Sequence, residues 1–119
     1  MTAIPIDSEV IEAARLAGVG VVKRTPITES AALSERYGGN VVFKAENLQR
    51  TGSFKIRGAM SKLASLGDSV KNGVVAGSAG NHAQAIAFAA RHHNVPCEIF
   101  VPAGASLSKM EAVRSYGAI

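Results

Sequence analysis

A lysine and a loop of small residues are the parts of this sequence whose types and spacing could support catalysis. Lys55 lies in TGSFKIRGA (51–59), directly after Phe54, where a loop is predicted to become a helix. The second stretch, SAGNHAQ (78–84), places small residues and an asparagine before another predicted helix. A lysine amine can form a Schiff base with a carbonyl compound when its uncharged form is available. Whether Lys55 has this task depends on the elements that position it.

The second stretch has the composition of an anion-binding loop. Gly77, Ser78, Ala79 and Gly80 allow backbone N–H groups to approach a ligand, and the helix that follows adds unpaired donors and a positive dipole end. The same spacing also suits a simple glycine-rich turn in which Ser78 or Asn81 caps the helix. These residues alone leave both interpretations open.

Helical and extended patterns alternate along the chain. Strand patterns followed by helical patterns predict a parallel sheet with packed helices, whose ligand sites lie at the carboxyl ends of the strands. Position 78 would then lie at such an end. Helices are predicted at 7–18, 28–38, 56–67, about 81–92 and about 106–116, and strands at 41–44, 73–77 and 97–104.

Length and composition indicate one modest domain, or part of one. The chain has 119 residues, of which 47% are hydrophobic and 18% charged. Its single cysteine, Cys97, lies in the apolar run CEIFV and is expected to be buried in a protein from a reducing compartment. The sequence has no secretory signal and no apolar run that could span a bilayer, so we expect a cytoplasmic protein without membrane contact.

Several classes of function lack their signatures. The net charge is +4, but the basic residues are scattered, which argues against a nucleic-acid partner. His82, His92 and His93 lack metal-ligand spacing with a carboxylate or cysteine, so no metal is expected. G-x-S-x-G, G-x-G-x-x-G and Walker motifs are absent, which argues against the usual hydrolase, dehydrogenase and nucleotide-binding sites.

Four motifs together resemble one known family. They are similar to the N-terminal part of the pyridoxal-phosphate-dependent threonine dehydratases, also called threonine ammonia-lyases, with serine racemases as close relatives. The resemblance implies an α/β fold, a partial parallel three-layer sheet of the tryptophan-synthase-β-like type. Residues 1–57 would belong to the large cofactor domain and 58–119 to a partial small domain, within which the chain ends. The motifs are RTPI (24–27), KAENLQRTGSFKIRGA (44–59), SAGNHAQAIAFAARHH (78–93) and KMEAVRSYGA (109–118).

The resemblance also implies roles for particular residues. Lys55 would form the Schiff base with pyridoxal 5'-phosphate, beside Phe54 as apolar cover. Asn81 would hydrogen-bond the phenolic oxygen of the cofactor. The substrate carboxylate would be held by Ser78, Ala79, Gly80, Asn81 and His82. Desolvation in a closing pocket would favour the free amine of Lys55, because burial disfavours the charged form.

The implied reaction is α,β-elimination on a small amino acid. L-Threonine would give 2-oxobutanoate and ammonia, and L-serine would give pyruvate, in amino-acid metabolism such as isoleucine biosynthesis. In this family the glycine-rich phosphate cup lies well downstream of these motifs. We therefore expect the 119-residue chain alone to be inactive, to bind the cofactor weakly, and to form homo-oligomers or exchange segments between copies.

Two alternatives stay open. One is a serine racemase-like enzyme, and the other is a catalytically silent remnant that acts by association with another chain. Racemisation needs a proton donor on each face of the planar carbanion. In the racemases that this sequence resembles, a second serine precedes the glycine of the asparagine loop, whereas here the position is Ala79. A methyl group cannot donate a proton, which favours the dehydratase.

Overall fold

A computed structural model describes residues 6–105 and 107–119 of the chain. These residues form an α/β arrangement in which short strands alternate with helices. The described helices are α1 (Ser8–Ala17), α2 (Ala31–Tyr37), α3 (Lys55–Ser65), α4 (Asn81–His93) and α5 (Leu107–Ser115). The described strands are β1 (Ile27–Glu29), β2 (Val42–Lys44), β3 (Val74–Gly77) and β4 (Cys97–Phe100), and short 3-10 helices cover Glu46–Leu48, Arg50–Gly52 and Gly67–Asn72.

Capping residues explain where the first two helices begin. Asp7 accepts a hydrogen bond from the Val10 N–H at 2.9 Å and so caps α1. Ser30 caps α2 in the same way, which corrects the predicted start at Thr28, because Thr28 lies in β1. Gly38 ends α2 in the left-handed conformation, with φ of 64°.

The strands form two separate pairs. β3 and β4 are parallel, with Val74 opposite Cys97 and Gly77 opposite Phe100, as the strand–helix alternation predicts. β2 pairs antiparallel with β1, so of the strands predicted from the sequence only β3 and β4 form a parallel pair. The three-residue β1 was missed, since so short a segment carries little periodicity of its own.

The core lies where α3 packs on α4. Ile56, Met60 and Leu63 are 0–1% exposed, which confirms the predicted apolar face of α3. The opposing face of α4 consists mostly of small side chains, which let the two helix backbones approach closely. The buried residues of α4 are Ala83, Ala85, Ile86, Ala87, Ala89 and Ala90. Cys97 in β4 is also buried, as expected, and burial raises the pKa of its thiol.

Removing a core side chain should cost much of the stability of the chain. We expect Leu63→Ala to lower the free energy of unfolding by about 2–5 kcal/mol, because it leaves a cavity between α3 and α4. Urea denaturation of the 119-residue chain measures this. The matched control is Leu107→Ala, since Leu107 is 75% exposed. Equal losses in the two variants would show that the α3–α4 contact is not the main core.

Two predicted boundaries, those of the last helix and of the two domains, can be compared with this fold. The expected start of the last helix at Ser106 lies outside the described residues, and its end agrees with α5, which stops before Gly117 at φ of 85°. The division into 1–57 and 58–119 stays a prediction, and its boundary falls within the continuous helix α3.

None of the helices in the described ranges is long and apolar enough to cross a membrane.

Candidate active site

Lys55 is the first residue of α3 and follows a kinked 3-10 segment, Arg50–Gly52. Thr51 and Gly52 both have positive φ, 61° and 71°, and the backbone is kinked directly before the buried Ser53. The Ser53 hydroxyl accepts a hydrogen bond from the Lys55 N–H at 3.4 Å. A positive φ is unfavourable for a threonine, so the surrounding contacts must hold this turn.

Phe54 covers Lys55 on one side. The Lys55 Nζ lies 4.9 Å from the centre of the Phe54 ring, a distance that suits a cation–π contact. Phe54 is itself 57% exposed, and the Lys55 side chain is also exposed. The expected apolar cover is therefore present as a contact, but the described residues do not enclose the amine.

The loop at the start of α4 keeps its helix end open to a ligand. The Ser78 N–H donates to the Phe100 carbonyl at 2.9 Å, and the Ser78 hydroxyl accepts from the Gly80 N–H at 3.2 Å. The N-cap position is Gly80, and no side chain makes a capping hydrogen bond there. The predicted capping of the helix by Ser78 or Asn81 was thus wrong, and the anion-binding role of the loop stays a prediction. Unbonded N–H groups at a helix start can receive an anion.

The packing of α3 on α4 brings the two predicted motifs together. A cavity of about 360 Å³ is lined by residues of both motifs, including Lys55 and His82. Of the five residues assigned to the substrate carboxylate, His82 lines this cavity. Ser78, Ala79, Gly80 and Asn81 lie in the adjoining loop and first turn of α4 and are not part of its lining. The lining residues are Phe54, Lys55, Arg57, Gly58, Ala59, Lys62, His82 and Ile86.

A larger cavity, of about 700 Å³, lies beside α1 and shares Arg57 and Gly58 of α3 with the first cavity. Its lining includes Ile11, Gly18 and Val22 but neither Lys55 nor any residue of the 78–82 loop. We place the candidate site at the smaller cavity, because that is where a potential nucleophile and an open helix start meet.

A carboxylate that sequence reasoning missed is tied to the first turn of α3. The Glu46 carboxylate accepts two hydrogen bonds from the Arg57 guanidinium, both at 2.8 Å, and a third from the Thr25 hydroxyl. The Lys44 ammonium lies 3.9 Å away. The hydrogen bonds from Arg57, more than that from Thr25, lower the pKa of Glu46 to about 2, against the opposing effect of its burial. Glu46 is therefore ionised at neutral pH.

A buried amide anchors the same segment, and it too was missed. Gln49 is 4% exposed, and its side chain accepts from the Lys23 N–H at 2.9 Å and donates to the Lys23 carbonyl at 2.8 Å. The Arg50 guanidinium donates to the Val21 carbonyl at 2.6 Å. The only available signal was the polar run KAENLQR directly before the lysine motif, which periodicity does not explain.

Metal ligation has no support in the described ranges. Within 6–105 and 107–119, no three histidine, cysteine, aspartate or glutamate side chains converge as a ligand set. His92 and His93 lie in the last turn of α4, where cationic character is favourable.

Comparison with known proteins identifies the family. The model of a family described as "Pyridoxal-phosphate dependent enzyme" matches residues 20–119. An L-threonine ammonia-lyase of Thermotoga maritima is 52% identical over 99 residues, which is 82% of this chain and 25% of that protein. An L-threo-3-hydroxyaspartate ammonia-lyase of Saccharomyces cerevisiae is 47% identical over 98 residues, 82% of this chain and 30% of that protein.

A solved structure extends this likeness to the fold. Maize serine racemase matches with a TM-score of 0.87 and 38% identity, over 98% of this chain and 36% of that chain. The chain thus spans a quarter to about a third of the length of these proteins. The predicted fold class is confirmed, as is the predicted resemblance to threonine dehydratases and serine racemases. The chain belongs to the family of pyridoxal-phosphate-dependent enzymes.

Proposed function

We propose that the protein deaminates L-threonine, and L-serine as a second substrate, by α,β-elimination with pyridoxal 5'-phosphate as cofactor. The observation that carries the proposal is the meeting of Lys55 and His82 at one cavity beside the uncapped start of α4. The names of the similar proteins support it, since two are ammonia-lyases of β-hydroxy amino acids.

The residues present fit the cofactor and its substrate. An exposed primary amine at the mouth of a cavity suits covalent attachment of an aldehyde. A helix start without a side-chain cap suits an α-carboxylate. When bound, pyridoxal phosphate supplies an electron sink for the carbanion that forms at Cα of the amino acid.

The chain itself would bind the reactants and move one proton. Once the amino group of the substrate has displaced it from the cofactor, the free Lys55 amine would take the proton from Cα and pass it to the β-hydroxyl, which would leave as water. Hydrolysis of the resulting enamine product then yields the 2-oxo acid and ammonia. The Ser78 and Gly80 N–H groups already donate within the chain, so the backbone N–H groups of Ala79, Asn81 and His82 would orient the carboxylate. The Asn81 amide would donate to the phenolic oxygen of the cofactor. Phe54 would exclude water from one side of Lys55.

A chimaera tests the activity directly. In it, this chain replaces the aligned segment of the Thermotoga maritima L-threonine ammonia-lyase. We expect release of 2-oxobutanoate and ammonia from L-threonine. Borohydride reduction followed by peptide mapping should place the cofactor on Lys55. A label on Lys62, the other lysine that lines the cavity, would reject the assignment. No label on either would favour the catalytically silent alternative.

The serine racemase-like alternative is carried by the likeness to maize serine racemase. Ala79 argues against it, because its methyl group cannot supply the second proton donor that racemisation requires. We expect L-serine to give pyruvate faster than D-serine in the chimaera. We also expect Ala79→Ser to increase the D-serine share of the products. Chiral chromatography measures D-serine, and an oxo-acid assay measures pyruvate. If D-serine accumulates faster than pyruvate in the chimaera that retains Ala79, the dehydratase proposal is rejected in favour of the racemase.

Some finer points belong to the same proposal. Association between copies is supported by the open face of the β3–β4 pair, where Val75 is 66% and Phe100 60% exposed. A cytoplasmic location, a role in isoleucine biosynthesis and the division into 1–57 and 58–119 stay predictions.

A further inference from the structure

We infer that Glu46 and Arg57 form a clamp that positions Lys55 for catalysis, an inference that rests on the proposed function. The pair has fork-to-fork geometry, with Nε and one terminal nitrogen of Arg57 each 2.8 Å from a different oxygen of Glu46. Such bidentate pairs fix the relative orientation of their two planes as well as the distance. Arg57 is two residues after Lys55, in the same first turn of α3.

Glu46 connects three segments through this pair. It lies in the short 3-10 helix that follows β2, and its side chain is 17% exposed. It accepts from the Thr25 hydroxyl, and Thr25 is 4% exposed, so the carboxylate is held from a second direction. Arg57 also donates to the Lys23 carbonyl at 3.4 Å. The first turn of α3 is thereby tied to the segment 23–25 and to the segment after β2.

Lys55 has few contacts of its own that could fix its position. Its N–H donates to Ser53 at 3.4 Å, and its ammonium contacts the exposed ring of Phe54. Its neighbour Ile56 is fully buried in the core that α3 shares with α4. The Glu46–Arg57 pair ties the first turn of α3 to the segment after β2. Because Glu46 is absent from the lining of the cavity that contains Lys55, its part is to position rather than to touch the substrate.

The first experiment compares two carboxylate-to-amide changes in the chimaera. Glu46→Gln keeps the size of the side chain but breaks the charged fork. The matched control is Glu12→Gln, because Glu12 and Arg15 form a similar fork, at 2.7 and 2.6 Å, on the exposed surface of α1. We expect Glu46→Gln to lower kcat for threonine about tenfold to 100-fold with KM nearly unchanged. Glu12→Gln should change neither.

The conservative partner variant separates geometry from charge. Arg57→Lys retains the positive charge but cannot form the fork. We expect it to lower kcat as Glu46→Gln does, and the double variant to be no worse than either single one, since the two residues act as a unit. Arg57→Lys with the kcat of the unsubstituted chimaera, or additive losses in the double variant, would overturn the clamp. Arg57 itself lines the cavity, so a lower kcat of Arg57→Lys supports the clamp only together with that of Glu46→Gln. Should Glu46→Gln fail to fold, an unchanged kcat of Arg57→Lys still rejects the clamp.

A second measurement does not require turnover. Reductive ¹³C-methylation of the 119-residue chain gives a methyl NMR signal for Lys55, whose shift reports its distance from the Phe54 ring. We expect Glu46→Gln to move this signal and Glu12→Gln to leave it in place. An unmoved Lys55 signal would reject the clamp even if the chimaera is inactive. Unchanged kcat in a Glu46→Gln chimaera that deaminates threonine would reject the clamp alone and leave the proposed function intact.

Discussion

Replacing Lys55 with alanine should reduce threonine deamination by the chimaera about 10⁴-fold and leave the fold largely unchanged. The loss is large because one side chain would both attach the cofactor and take the proton from Cα. The fold should persist because Lys55 is exposed and contributes no buried side-chain contact. Oxo-acid release measures the rate, and circular dichroism reports the helices.

Lys71→Ala is the matched control for the loss of a lysine. Lys71 is exposed, pairs with Asp68 at 2.6 Å and lies outside the candidate cavity. Its removal should leave the rate within about twofold, since exposed pairs contribute little. A Lys55→Ala chimaera that keeps a tenth or more of the rate would remove the lysine from the mechanism.

The sequence predicts those elements whose signals are local. Asp7 and Gly38 mark helix ends through their own chemistry, and the apolar spacing of Ile56, Met60 and Leu63 indicates the buried face of α3. The partner of a strand is not a local property. The residues of β2 read as a strand, but the sequence does not show which strand pairs with it. Its partner is β1, in which Thr28 lies fifteen positions before the Phe43 that it faces.

In the candidate site, too, some residues could be recognised from the sequence and others only from the folded chain. Lys55 and the 78–82 loop are recognisable because their residue types suggest chemistry. Their meeting at one cavity depends on how closely α4 approaches α3, which is set by its small buried side chains. Glu46 and Gln49 carry no such signal, since a glutamate and a glutamine in a polar run usually face solvent. Their partners, Arg57 and Lys23, lie 11 and 26 positions away, so only the folded chain shows the contacts.

Removing a backbone N–H from the uncapped start of α4 should strongly weaken substrate binding. Asn81→Pro removes both the side-chain amide and the backbone N–H of the first helical residue. Proline is tolerated there, because its ring suits the first turn and the preceding Gly80 is extended, with φ of −126° and ψ of −154°. We expect kcat/KM for threonine to fall about 100-fold or more, as when one donor of an anion site is lost.

Asn81→Ala provides the comparison that isolates the backbone donor. It deletes only the amide that would reach the phenolic oxygen, so its effect should be milder and accompanied by weaker cofactor retention. The difference between the two variants is then the contribution of a single N–H at the helix start. Steady-state kinetics of the two chimaeras, with cofactor content measured by absorbance, gives that difference. Equal kcat/KM values for Asn81→Pro and Asn81→Ala would mean that the carboxylate does not bind at this end of α4, and the substrate site would have to be placed elsewhere around the cavity.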